Sequence, residues 1–277
     1  VVGASLAGLR AAEELRAGGF DGTITVVGDE PHAPYDRPPL SKQVLAGTWP
    51  AERAALVVSA DGGLDGLALD WRLGERATAL DPGAREVTLA GGERLVYDGL
   101  VIATGAAPRE LPGTERLTGA YTLRTVDDCE SIRAALDAGP GRVVVVGAGF
   151  IGAEVAATCR MRGHEVTVLE ALPVPLGRAL GDEMGALMGD LHRDHGVEVR
   201  LGTGVAGFEA GEGGRVERIR LADGGTLDAG LVVVGIGVTP NTGWLEGSGL
   251  ALDDGVVCDA STWVGPGVVA AGDVARW

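Results

Sequence analysis

The chain has 277 residues, 45% of them hydrophobic and 22% charged, and carries a formal net charge of −16 at pH 7. That length holds one large or two medium domains. The acidity argues against a nucleic-acid partner, which needs a basic face, and no apolar run reaches the length of a membrane span or signal segment, so a cytoplasmic protein is expected.

In chain order, Val1-Val2 opens a strand that runs at once into a glycine turn, "GASLAG", with Gly3, Ser5 and Gly8 in a G-x-S-x-x-G pattern. A helix follows, with Leu6, Leu9, Ala12 and Leu15 recurring every third residue and Gly18-Gly19 as its stop. The strand "TITVVG" completes a βαβ unit. Residues 87–105, "VTLAGGERLVYDGLVIATG", read as a strand, a Gly-Gly hairpin, a second strand and a buried apolar run ending on glycine. The same order then returns. Val143 to Val146 lead into "GAGFIG", a helix with Ile151, Val155 and Cys159 at i, i+4 and i+8, a stop at Gly163, and the strand "EVTVLE". Residues 219–237, "IRLADGGTLDAGLVVVGIG", repeat the hairpin and apolar run. Two copies of one nucleotide-binding domain are therefore expected. A short strand from Val268 ends at "GDVA", with Asp273 placed to cap a following helix. Strand one is very short and the chain stops soon after "GDVA", so a chain trimmed at both ends is expected.

The second turn has the features of a dinucleotide site. Gly147 permits the tight turn, Gly149 lets backbone approach a pyrophosphate, and Gly152 lets helix and strand pack closely, with phosphate over the helix N-terminus. Glu170 ends the next strand. A carboxylate there accepts hydrogen bonds from a ribose 2′-hydroxyl and repels a 2′-phosphate, and no Arg follows it, so NADH is favoured over NADPH. A solvated glutamate beside a plain glycine turn is the alternative. In the first copy Gly28 stands where Glu170 stands in the second, and either Asp29 or Glu30 could take a ribose. Two such sites in one chain point to one bound flavin and one exchangeable nicotinamide. Cys129, Cys159 and Cys258 are far apart, with no Cys-x-x-Cys and no metal-ligand spacing, and His192 and His195 complete no ligand set. No metal is expected, and Cys159 should face the core.

The stretch "PYDRPPLSK" (34–42), with "ATG" (103–105), "GAGFIGAE" and "AAGDVA", resembles the FAD-dependent, NADH-using ferredoxin reductases of oxygenase systems, within the pyridine nucleotide-disulfide oxidoreductase superfamily. The likeness runs over the whole chain, and "RPPLSK" is its most specific element. It implies an α/β fold of the glutathione-reductase type, with two Rossmann-like nucleotide-binding domains in three ββα layers. FAD would be held by residues 1–112 and 240–277 and NADH by 113–239, the C-terminal interface domain being absent from this chain. Carried over by position, FAD contacts fall on Gly3, Ser5, Ala7, Gly8, Asp29, Glu30, Arg37, Lys42, Ala77, Thr104, Gly105, Arg124 and Asp273. NADH contacts fall on Gly147, Gly149, Phe150, Ile151, Gly152, Glu170, Gly235 and Gly237. In the family, the lysine matching Lys42 pairs with the glutamate matching Glu154 near the flavin. Read from residues alone, Lys42 could be a solvated lysine stiffened by two prolines, Glu154 a favourable charge near a helix N-terminus, and Arg124 a surface residue. The activity implied is hydride transfer from NADH to FAD, then single electrons to an iron–sulfur ferredoxin or a rubredoxin. Disulfide reductases of this fold need a cysteine pair beside the flavin, and "RPPLSKQVLAG" has none. A rubredoxin or nitrite reductase module, or an NADH-responsive interaction protein like apoptosis-inducing factor, are the other readings.

Overall fold

The computed structural model describes residues 1–58 and 62–277. The chain divides into two units, one of Val1–Asp36, Ala55–Ala107 and Thr239–Trp277, the other of Arg37–Ala54 and Pro108–Val238. These boundaries depart from the expected ones mainly at one place: residues 37–54 belong to the second unit.

In the first unit the parallel strands run in the order Leu69–Leu73, Ile24–Gly28, Val2, Leu100–Ile102 and Val268–Ala270, with Trp263–Gly265 antiparallel at the edge. The opening strand is reduced to Val2, which bridges Val27 on one side and Ile102 on the other. Helix α1 (Leu6–Ala17) follows the turn, and α2 (Gly63–Gly66) is a single turn. An antiparallel sheet of Ala77–Asp81, Glu86–Leu89 and Arg94–Val96 contributes Ala77, Leu80, Val87 and Leu89 to the same core as Val2, Val27 and Ile102. On α1 only Leu9 and Ala12 of the apolar series are buried; Leu6 and Leu15 are exposed. A strict three-residue repeat drifts off one face of a helix that turns every 3.6 residues.

The second unit repeats the plan. Its parallel sheet runs Glu198–Arg200, Glu165–Leu169, Arg142–Val146, Leu231–Val234 and Ala120–Thr122. Helices α3 (Val126–Asp137), α4 (Phe150–Met161) and α5 (Gly177–Asp194) connect the strands. The central run of valines is apolar on both faces because both are covered. Val144 and Val146 face an antiparallel sheet through Val216, Ile219, Leu221 and Leu227. Val145, on the alternate face, lies beside Gly152 of α4. This gives the ββα layering. Val155 and Cys159 of α4 are fully buried, whereas Ile151 is exposed at its first turn.

One local expectation fails. "GDVA" does not start a helix: Gly272–Val274 is a single 3₁₀ turn that passes into Ala275–Arg276, paired in parallel with Val256–Val257. Val274 and Val256 are both fully buried, so this segment is anchored as an extended chain and Asp273 caps no α-helix. No helix among the described residues is long and apolar enough to cross a membrane.

Candidate functional site

The glycine turn of the second unit is shaped by backbone contact. Gly147 has φ of +96°, and a Cβ on it would strike the carbonyl oxygen of Gly235. A Cβ on Gly152 would strike the carbonyl oxygen of Gly147. Gly149, the N-cap of α4, is different: a Cβ there would meet nothing nearer than the Gly235 oxygen at 4.0 Å. Phe150 and Ile151 form the exposed first turn of α4, whose amides lack partners within their own helix. Opposite them, Gly235 donates to Val146 O at 2.8 Å, and Gly237, at φ +102°, has its carbonyl held by the Arg109 amide at 2.9 Å.

Glu170 is fixed by its own backbone. One carboxylate oxygen accepts from the Ala148 amide at 2.7 Å and the other from the Leu172 amide at 2.8 Å. Two N–H bonds to two oxygens leave lone pairs for further donors, such as ribose hydroxyls. An accepting carboxylate held beside the glycine turn fits a dinucleotide.

The first unit repeats the steric pattern. Gly3, at φ +120°, lies against the Ala103 carbonyl, and Gly8 against the Gly3 carbonyl. Ser5 is the N-cap of α1, and its hydroxyl makes no capping bond. Ala7, in the first turn, lies beside Gly272, which brings the "GDVA" turn and the exposed Asp273 to the same end of α1. Thr104 and Gly105 are locked to Asn241: the Thr104 hydroxyl donates to Asn241 O at 2.9 Å, Asn241 Nδ2 donates to Thr104 O at 2.8 Å, and its amide to Gly105 O at 2.9 Å. Ala77 is buried in the antiparallel sheet. Asp29 and Glu30 separate in role. Glu30 accepts the Tyr35 hydroxyl proton, while Asp29 is exposed and held by a two-point fork from Arg76 at 3.0 and 2.7 Å. A cradle that a Cβ would fill and an acid at the strand end fit a second dinucleotide.

The structure brings Lys42 and Glu154 together. Lys42 follows the 3₁₀ turn Pro38–Ser41, and its ammonium lies 2.7 Å from Glu154 Oε2 on α4. It also donates to Pro38 O at 3.1 Å. Arg37 donates to the carbonyl of Arg124 at 2.6 Å, and that backbone is fixed at the start of α3, where Asp128 accepts from the Arg124 and Thr125 amides. Sequence reasoning missed Asn241, Arg76, Ser41 and Thr158. Two of them left a signal: Ser41 lies inside "RPPLSK", and Asn241 follows Pro240 just beyond the glycine pair at 235 and 237.

All three cysteines are buried and unpaired. Burial pushes the thiols of Cys129 and Cys159 up to about 11 and about 12. Among the described residues, no group of three His, Cys, Asp or Glu could hold a metal.

With these two turns in place, the comparison with known proteins is decisive: the model of the family described as pyridine nucleotide-disulphide oxidoreductase matches residues 1–277. The chain belongs to that family. Like other pyridine nucleotide-disulphide oxidoreductases, it is expected to use FAD and NAD(H). Rhodocoxin reductase of Rhodococcus erythropolis is 41% identical over 260 residues, covering 94% of this chain and 60% of that protein. The ferredoxin reductase component of chlorobenzene dioxygenase from Cupriavidus sp. (strain PS12) is 40% identical over 280 residues, covering 100% of this chain and 67% of that protein. The crystal structure of the covalent putidaredoxin reductase–putidaredoxin complex matches with a TM-score of 0.93 and 38% identity, covering 99% of this chain and 67% of that one. The chain thus spans about three fifths to two thirds of the length of these relatives.

Proposed function

We propose that this oxidoreductase takes hydride from NADH onto FAD and passes single electrons to an iron–sulfur ferredoxin that serves a cytochrome P450 or Rieske-type oxygenase. One observation carries the choice of acceptor. The three cysteines of this chain are buried and unpaired, which supports electrons leaving from the flavin itself rather than through a dithiol among these residues. The names of the similar proteins, a rhodocoxin reductase and a dioxygenase ferredoxin reductase component, support the same reading.

FAD, when bound, supplies the conversion of a two-electron donor into one-electron steps. The residues present position and polarise. Gly3, Ser5, Ala7, Gly8, Thr104, Gly105 and Asp273 would hold the flavin nucleotide, with Asp29 toward its ribose. The first turn of α4, Gly235 and Gly237 would hold NADH. Glu170 would accept from its ribose 2′-hydroxyl, and its negative charge disfavours the 2′-phosphate of NADPH. Lys42 and Glu154 would supply a fixed pair of charges for hydride transfer, with Arg37 and Arg124 in the same unit. Binding in defined geometry is what the protein adds.

An anaerobic titration of the FAD-loaded protein with NADH tests this. Flavin absorbance should bleach, return on adding a ferredoxin of an oxygenase system, and respond to NADPH at least about tenfold less efficiently. A protein that binds no flavin, or bleaches but never passes electrons to such a ferredoxin, refutes the reading.

A further inference from the structure

Glu154 and Thr158 of α4 and Arg162, its C-cap, stand at i, i+4 and i+8 and so lie along one side. Each grips the same short run of chain, Pro38 to Leu45. Glu154 Oε2 accepts from the Ser41 hydroxyl at 2.5 Å and pairs with Lys42 at 2.7 Å. The Thr158 hydroxyl donates to Ser41 O at 2.7 Å. Arg162 donates to Leu45 O at 3.0 Å and is steadied by Asp137 at 2.5 Å. The Cys129 thiol of α3 adds a bond to Leu40 O at 3.1 Å. Leu40, Ser41, Val44, Leu45 and Thr158 are all buried to 2% exposure or less.

The burial gives this ladder direction. Lys42 itself is 42% exposed, and an ammonium on a four-carbon stem is well served by water, so the ion pair alone would not hold it. What is held is the peptide before it. Ser41 has one hydroxyl proton. It goes to Glu154 at 2.5 Å rather than to Pro38 O at 3.4 Å, which aims the carboxylate, while Thr158 takes the Ser41 carbonyl, which aims the chain toward Lys42.

We infer that Thr158, working through Ser41, is a positioning residue that sets the Lys42–Glu154 pair. The inference rests on the reading of that pair as the charge pair of hydride transfer, and extends it to a buried residue behind the pair.

The test uses Thr158→Val, which keeps shape and removes the donor, beside Thr158→Ser, Lys42→Met and the double variant. Amide exchange over residues 38–46, with and without bound FAD, should rise about tenfold in Thr158→Val, the loss expected when one buried hydrogen bond goes. Acylation of the Lys42 amine by acetic anhydride should rise several-fold, and Thr158→Ser should restore both. In stopped-flow reduction by NADH, Thr158→Val should lower the rate at saturation with little change in NADH affinity. In the Lys42→Met background it should do nothing more. Unchanged exchange and acylation overturn the inference, as does a loss that adds fully to that of Lys42→Met. If Lys42→Met leaves reduction untouched, the role of the charge pair falls, while exchange and acylation still decide whether Thr158 holds Lys42. Should Thr158→Val fail to fold, Ser41→Ala takes its place with the same expected rise in acylation.

Discussion

The two glycine turns differ at one of the three glycine positions of the pattern, and the difference separates what the backbone forces from what a ligand selects. Gly3 and Gly147 both abut a carbonyl of a neighbouring strand end, Ala103 in one unit and Gly235 in the other. Gly8 and Gly152 both abut the carbonyl of the first glycine of their own turn. No side chain fits at those four places. At the middle position one unit has Gly149 and the other Ser5. The serine is therefore no flaw in the pattern: it stands at the counterpart of Gly149, the one glycine position of the second turn where a Cβ meets no close contact.

The acids at the strand ends diverge further. Glu170 closes onto the glycine turn of its own unit through the Ala148 amide. In the first unit Gly28 takes that place, and a Cβ there would collide with Ala4. The acid is displaced to Asp29, which is paired with Arg76 instead of with the turn.

The sharpest way to break the comparison is to put a methyl where the backbone forbids it. Gly147→Ala and Gly152→Ala should each cost about 2–4 kcal/mol of stability, since a collision with a carbonyl must be relieved by moving a strand end. NADH affinity should fall at least about a hundredfold, as read by titration. Gly149→Ser, which copies the first turn, should stay within about 0.5 kcal/mol of the parent. An equal penalty at 147 and 149 would show that the turn is not governed by these contacts. Next in size is Glu170→Ala. It removes the acceptor of two backbone amides and should cost about 1–3 kcal/mol by denaturant melts. It should also narrow the preference for NADH over NADPH, because the charge that repels a 2′-phosphate is gone.

Much of this was legible in the sequence. Gly3, Gly8, Gly147 and Gly152 announce themselves because close backbone approach leaves only one residue type possible. The valine runs announce a parallel sheet covered on both faces. What stayed hidden is tertiary. Nothing local to "RPPLSK" says that it belongs with α3 and α4; that follows from Cys129 and Thr158, over eighty residues away, which hold its Leu40 and Ser41 carbonyls, and from Arg162, which holds the Leu45 carbonyl just beyond it. Asp273 reads as a helix cap because "GDVA" is a good N-terminal sequence, yet burial of Val274 beside Val256 pulls the chain into a strand. Periodicity also misled at Leu6, Leu15 and Ile151, which are exposed on α1 and α4.

The second unit should lose stability in alkali. Cys129 and Cys159, both in the second unit, have thiols raised by burial to about 11 and about 12 from an ordinary 9.0. An acid whose folded value is raised leaves stability intact below its unfolded value. Above pH 9 the unfolded chain ionises first, and stability falls until the folded thiols ionise in turn. At pH 10 the loss should be roughly 1 kcal/mol per thiol. Neither thiol should react with a disulfide reagent at pH 8 until the chain is unfolded. Rapid native reaction at Cys129 or Cys159 would contradict their burial and reopen a thiol route for electrons.

The smallest effect is expected where the two strand-end acids differ most. Arg76→Ala frees Asp29 from its fork. Both side chains are more than half exposed, at 68% and 57%, so water and salt replace most of the pairing energy. Stability should fall by less than about 1 kcal/mol. The informative readout is FAD affinity, measured at low and at high salt. If Arg76 serves only to hold Asp29 toward a ribose, Arg76→Ala should weaken FAD binding a few-fold and Asp29→Asn should weaken it more. If Arg76→Ala instead tightens FAD, the fork competes with the ribose for the carboxylate. Asp29 would then differ from Glu170 in kind, one acid withheld from its nucleotide by an arginine, the other presented by its own backbone.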